Sequence, residues 1–111
     1  MTNYSTGHDA EKSAADYLRK HGFKIVELNW RNQYCEIDII AEKNQTIYFV
    51  EVKYRHNLDQ GDGFDYITPK KLNQMKFATR MWLSDNNWEG DCILAAIAAS
   101  QTGFELIEIE T

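Results

Sequence analysis

Residues 36–53, EIDIIAEKNQTIYFVEVK, constrain the fold of this chain more than any other stretch. Two runs of β-branched and aromatic residues flank Lys43-Asn44-Gln45, the pattern of a β-hairpin. A two-residue turn at Asn44-Gln45 requires positive φ, which Asn tolerates and Gln accepts less readily. Such a turn pairs Lys43 with Thr46 and, followed down both strands, Asp38 with Glu51. Alternation then gathers Ile37, Ile39, Ala41, Tyr48, Val50 and Val52 on one apolar, core-facing surface. Glu36, Asp38 and Ile40 fall on the other, opposite Lys53, Glu51 and Phe49.

Directly opposed side chains in an antiparallel pair stand ~4.5–5.5 Å apart at Cβ, and like charges there destabilise the sheet. A bare strand pair gains nothing from two carboxylates in that position, whereas a hard divalent cation between them gives a reason to keep both. Lys53 alternates onto the same side as Glu51. Two acids and a lysine on one face suit metal-assisted hydrolysis. The plainer alternative, left open by spacing alone, is a solvated strand face on which Glu36 and Lys53 make a weak ion pair.

A chain of 111 residues has room for one domain, spanning 1–111, with one modest core. No apolar run approaches the ~18 residues of a membrane span, and the polar start MTNYSTGHDAEK lacks a signal-peptide core. A soluble, cytoplasmic protein with no membrane partner is expected. Cys35 and Cys92 belong to no CxxC pair, so free thiols are expected and a zinc site or disulfide is not. The net charge of −5 argues against tight non-specific DNA binding until it is located along the chain. All 12 Lys and Arg lie in residues 1–80 against 11 acids, a net +1. Residues 81–111 hold six acids and no Lys or Arg.

The remaining elements follow from periodicity and punctuation. Residues 7–21 read as a helix capped by Ser5 or Thr6, with the apolar stripe Ala10, Ala14, Tyr17 and Leu18, ended by Gly22. Glu11 lies at the edge of that stripe, where it either complements the helix dipole or reaches over the sheet toward Asp38. His8, one turn earlier, reads as solvent-exposed. Residues 23–30 form a strand, 31–34 a turn into the hairpin, and NLDQGDGFDY a loop beside the candidate site. Thr68-Pro69 opens a second helix that runs to about Leu83 and buries Leu72, Met75, Ala78, Thr79 and Trp82. CILAAIAAS is a buried small-residue strand, and residues 104–110 a last alternating one. The order is α-β-β-β-α-β-β.

Asp38 followed by Glu51-Val52-Lys53 on the next strand resembles the PD-(D/E)xK nuclease superfamily. Within it, the chain is similar to the YraN-like family of small endonuclease-like proteins. That family's Gly-Glu-x-x-Ala-x-x-Tyr-Leu start corresponds to Ala10-Glu11, Ala14 and Tyr17-Leu18; its Gly-Glu-Ile-Asp-Leu-Ile strand to residues 35–40; its Phe-Val-Glu-Val-Lys-x-Arg strand to residues 49–55; and its Thr-Pro-x-Lys helix start to Thr68-Pro69-Lys70-Lys71. Ala10 and Cys35 stand where the family has glycines, and Asp91-Cys92-Ile93 where it has Arg-Phe-Asp. The resemblance implies an α/β fold bordering on α+β, with a restriction-endonuclease-like α-β-β-β-α-β core and a mixed central sheet flanked by helices. It further implies that Asp38, Glu51, the Val52 carbonyl and Glu11 hold Mg²⁺ or Mn²⁺, and that Lys53 orients the attacking water. The implied reaction is hydrolysis of DNA phosphodiesters, in branched or single-stranded substrates, by a monomer or homodimer. Arg55, Lys70, Lys71 and Gln74 are the implied nucleic-acid contacts. The competing reading is a non-catalytic nucleic-acid- or protein-binding module that retains the site as a vestige.

Overall fold

Two helices and five strands follow one another in a computed structural model that describes residues 3–54, 67–100 and 102–109, with side chains from residue 10 onward. The elements are α1 (Asn3–Lys20), β1 (Lys24–Arg31), β2 (Glu36–Lys43), β3 (Thr46–Tyr54), α2 (Pro69–Asp85), β4 (Asp91–Ser100) and β5 (Gly103–Ile109). They build one five-stranded sheet in the order β1-β2-β3-β4-β5. Neighbours are antiparallel except β3 and β4, which run parallel. A parallel pair needs a crossover connection, and α2 lies within it. The order α-β-β-β-α-β-β read from the sequence is the observed one, an α+β arrangement with a mixed sheet, consistent with a restriction-endonuclease-like core. The loop expected within residues 57–66 and the side chain of His8 lie outside what is described.

The helices cover opposite faces of the sheet. Ala14, Ala15 and Leu18 of α1 pack with Ile39, Ala41, Val50, Ala95 and Ile97. Met75, Ala78 and Trp82 of α2 pack with Ile37, Ile40, Ile47, Phe49 and Leu94. Strand β4 can be buried on both sides because it is largely alanine, which leaves space for a helix on each face. Gly22, at φ +90°, takes the left-handed conformation that ends α1, and Phe23 N–H donates to the Leu18 carbonyl beyond it. The helix begins at Asn3, so Ser5 and Thr6 lie within it instead of capping it.

The hairpin forms as its sequence requires. Asn44 and Gln45 both have positive φ, at 52° and 64°, and Lys43 pairs with Thr46. Lys43 also donates from Nζ to the His21 carbonyl at 2.7 Å and lies 4.9 Å from the Phe23 ring centre, tying the tip to the end of α1. One assignment is corrected. Ile39, Ala41, Tyr48, Val50 and Val52 do share the α1 face, but Ile37 packs in the α2 cluster with Ile40 and Phe49. The regular alternation fails at Asp38. The β2–β3 register stops at Ile39 with Val50, while β1 keeps its register past this point, Leu28 with Ile39 and Trp30 with Ile37, with Asn29 between them at φ +53°. Strand β1 is less regular than its sequence suggests, with a bulge between Ile25 and Glu27 that leaves Val26 and Leu28 exposed.

Candidate functional site

Where the β2–β3 ladder ends, a side chain takes over from the backbone. The Asp38 carboxylate accepts the Val52 N–H at 2.8 Å. This bond fixes Asp38 against β3 beside Glu51, which strand alternation turns toward α2 together with Phe49. Glu51 is only 5% exposed, unusually buried for an acid. Its Oε2 is met by two ammonium groups, Lys53 Nζ and Lys71 Nζ, each at 3.3 Å. Lys53 reaches it from two residues along the same strand. Lys71 comes from the first turn of α2, where the Thr68 cap accepts the Lys71 N–H at 3.1 Å and sets the backbone from which the side chain extends.

Burial and crowding act on Asp38 in the same direction. Its carboxyl is pushed up to about 8, chiefly by burial and then by the negative charge of Glu51. The Val52 hydrogen bond opposes that shift, while the charge of Glu11 and a hydrogen bond shared with Glu51 add to it. Near neutral pH Asp38 is therefore largely protonated.

The expected residues thus separate into three groups. Asp38, Glu51, Val52 and Lys53 come together as anticipated, and Glu11, half-buried on α1, acts on Asp38 through its charge. In the plainer alternative Lys53 pairs with Glu36 on a solvated face; in the structure Lys53 pairs with Glu51. Lys71, expected to contact phosphate from an exposed helix face, is instead a member of the carboxylate site. Lys70 and Gln74 are exposed on α2, as a strand-contacting role needs. Arg55 lies outside the described residues. What sequence reasoning missed was the reach of Lys71 to Glu51; its one signal was the Thr68-Pro69 cap, which fixes where the helix begins but not what lies opposite it.

The donor set fits a hard cation in kind. Two carboxylates, one of them pushed toward neutrality by burial and by the charge of the other, are hard oxygen ligands, with two ammonium groups on Glu51 in place of a metal ion. Among the described residues no group of three or more acidic, histidine or cysteine side chains gathers as a metal cage. Mg²⁺ commonly uses only one or two protein carboxylates and completes its shell with water and substrate phosphate, so a pair suffices. A separate cavity of about 430 Å³, lined by Lys76, Thr79, Arg80, Cys92 and Glu108 among others, contains none of these residues.

The model of the family described as Uncharacterised protein family UPF0102 matches residues 10–109. This chain belongs to that family. UPF0102 is the YraN family, so the resemblance carried by residues 10–18, 35–40, 49–55 and 68–71 is borne out. A UPF0102 protein of Chlorobium phaeobacteroides is 43% identical over 77 residues, covering 69% of this chain and 61% of its own length. The chain thus spans less than two thirds of that relative. A UPF0102 protein of Syntrophomonas wolfei is 41% identical over 81 residues, 73% of this chain and 70% of the relative. A UPF0102 protein of Helicobacter pylori is 38% identical over 102 residues, 92% of this chain and 87% of the relative. Glu11, Asp38, Glu51, Lys53 and Lys71 all lie inside the span matched by the UPF0102 model.

Proposed function

We propose that this protein is a metal-dependent endonuclease that hydrolyses DNA phosphodiester bonds, with Asp38, Glu51, Lys53 and Glu11 as its working residues. The observation that carries the reading is the half-buried Asp38 beside the buried Glu51, with the Lys53 ammonium 3.3 Å from Glu51. Asp38 and Glu51, with the Val52 carbonyl, would hold Mg²⁺ or Mn²⁺, and Glu11 would add its charge through water. A divalent ion bound there supplies Lewis-acid polarisation of the phosphate and a water of lowered pKa. Lys53 can release Glu51 when another cation neutralises that carboxylate, and its ammonium then orients the attacking water and meets charge developing on phosphate oxygen. Asp38, tied to the Val52 N–H, keeps its carboxylate aimed beside Glu51 through that change. Lys70 and Gln74, exposed on α2, would steady the strand backbone.

One observation favours the second reading, a binding module with a vestigial site: Glu51 is already neutralised within the chain by Lys53 and Lys71. Incubation with single-stranded, flap and junction DNA in Mg²⁺ or Mn²⁺ separates the two. The nuclease reading requires cleavage by the wild type and its loss in Glu51→Gln and Lys53→Met. DNA that is bound but never cut on any of these substrates would leave the binding module in its place.

A further inference from the structure

Four large hydrophobic side chains are strongly exposed among the described residues: Val26, Leu28, Tyr34 and Phe77. Val26 is the bulged residue of edge strand β1 and Leu28 lies two residues beyond it, so both have a local explanation. Tyr34 and Phe77 do not. They belong to different elements, yet their rings meet edge to face, with centroids 6.4 Å apart and planes at 82°. Tyr34 is 66% exposed and Phe77 41%, so the contact buries little of either.

The turn that presents Tyr34 is held by other groups. Asn32 Oδ1 accepts the N–H groups of Tyr34 and Cys35 at 2.8 and 3.0 Å, and Asn32 Nδ2 reaches Met81 Sδ on α2 at 3.3 Å. Fastening the turn to the helix is thus work that Asn32 performs. The rings project from a fixed mount, which lowers the entropic cost of stacking on them.

The surroundings say what would stack. At 100° per residue Lys70 lies about 20° from Phe77 around α2, and Asn73, Gln74 and Arg80 within about 60°. All four are exposed. The face is therefore aromatic at its centre, cationic at both ends and hydrogen-bonding between, which complements a phosphate backbone with bases attached. Among the described residues, the aliphatic neighbour of the rings on this face of α2 is Met81, about 40° from Phe77 and half-buried under the Asn32 turn, which is less than the apolar patch that centres a protein interface. The acids nearest in sequence are Glu36 and Asp85, both exposed, the latter at the far end of the helix. The carboxylates lie nearby, around the helix from this face: Lys71, on Glu51, is six residues from Phe77, about 9 Å along α2 and about 120° around it, and Tyr34 lies four residues before Asp38.

We infer that Tyr34 and Phe77 form a stacking platform for unpaired DNA bases, which delivers a single strand to the Asp38 and Glu51 site. Paired bases hide their faces in the duplex stack, so the rings select single-stranded segments. The inference rests on the nuclease reading for its substrate, and binding tests it apart from cleavage. Anisotropy of a labelled oligothymidylate and of a labelled blunt duplex is measured in EDTA, where no cutting occurs. The wild type should bind the single strand more tightly than the duplex. Tyr34→Ala and Phe77→Ala should each weaken single-strand binding about tenfold or more and leave duplex binding unchanged, while Tyr34→Phe retains it. Tyr34→Leu and Phe77→Leu keep an apolar contact under the turn without an aromatic face, so loss of binding in them reports stacking even where an alanine variant folds poorly. Equal wild-type affinity for the two DNAs, unchanged binding in folded variants, or equal loss on both DNAs would overturn the platform, as would a dimer that dissociates on Phe77→Ala. Ring-dependent binding by a wild type that never cuts DNA would refute the nuclease reading and keep the platform; cutting that ignores both rings would do the reverse.

Discussion

The two ends of the β2–β3 hairpin are built from the same alternating sequence and do opposite things. At the turn end, Lys43 pairs with Thr46 and backbone meets backbone up to Ile39 and Val50, with both faces sealed by apolar side chains. At the open end, a carboxylate replaces a carbonyl as the partner of the Val52 N–H, and a buried acid and a half-buried one meet two half-buried lysines. The first arrangement is what a sheet needs for stability. The second costs stability, since burial and like charge drive Asp38 out of its usual range. Local cost of this kind concentrates at functional sites, and here it begins where regular pairing stops.

The comparison breaks first on function. Lys53→Met removes the ammonium and keeps most of the apolar stem, so cleavage should fall on the order of a thousandfold with little change in melting temperature. A parallel loss of stability would mean that the open end is structural. At the sealed part, Phe49→Ala removes a fully buried ring packed edge to face on Trp82 at 5.7 Å. It should cost about 3–5 kcal/mol in urea unfolding and leave cleavage per folded molecule intact.

The third test is a pH series on Asp38→Asn. With its folded pKa raised to about 8 and an unfolded value near 4, Asp38 binds more protons in the folded state between those pH values. Stability from this group is complete below the unfolded pKa and is lost as pH rises through the folded one. Asn cannot ionise, so the variant should gain on the wild type by a few kcal/mol between pH 4 and 8 when no divalent ion is added. A difference in melting that is flat with pH would remove the electrostatic account of the open end. Smaller still is the effect of Lys71→Met. Taking away a cation 3.3 Å from Glu51 should tighten Mn²⁺ binding several-fold in a calorimetric titration, since the ion no longer displaces a lysine. Weaker binding would make Lys71 a helper of the metal site and not its rival.

Much of the sealed end was legible in the sequence because its causes are local. Alternation, the Asn44-Gln45 turn and the Thr68-Pro69 cap each act within a few residues, and each appears where the sequence puts it. The alanines of β4 likewise announce a strand with no exposed face. The failures lie where alternation is interrupted. Ile37 was assigned by counting through Asp38 as if pairing continued, but β3 has no register partner for Asp38 and Ile37 turns to the α2 side. The bulge after Ile25 and the positive φ of Asn29 disturb β1 in the same way. Ser5 and Thr6 look like caps by residue type, yet the helix starts before them. Lys71 was legible as a helix residue only. Its place on Glu51 depends on how α2 lies over the sheet, which is a property of tertiary packing that no local pattern encodes.

The central claim is that Asp38 and Glu51 are kept together for a divalent cation. Calorimetric titration of Mn²⁺ into the wild type, Glu51→Gln and Lys53→Met tests it most directly, with no assumption about the DNA substrate. The account predicts one saturable site in the wild type, its loss or marked weakening in Glu51→Gln, and its retention in Lys53→Met, because lysine is not a ligand. An absence of binding in the wild type, or binding that survives unchanged in Glu51→Gln, would contradict it.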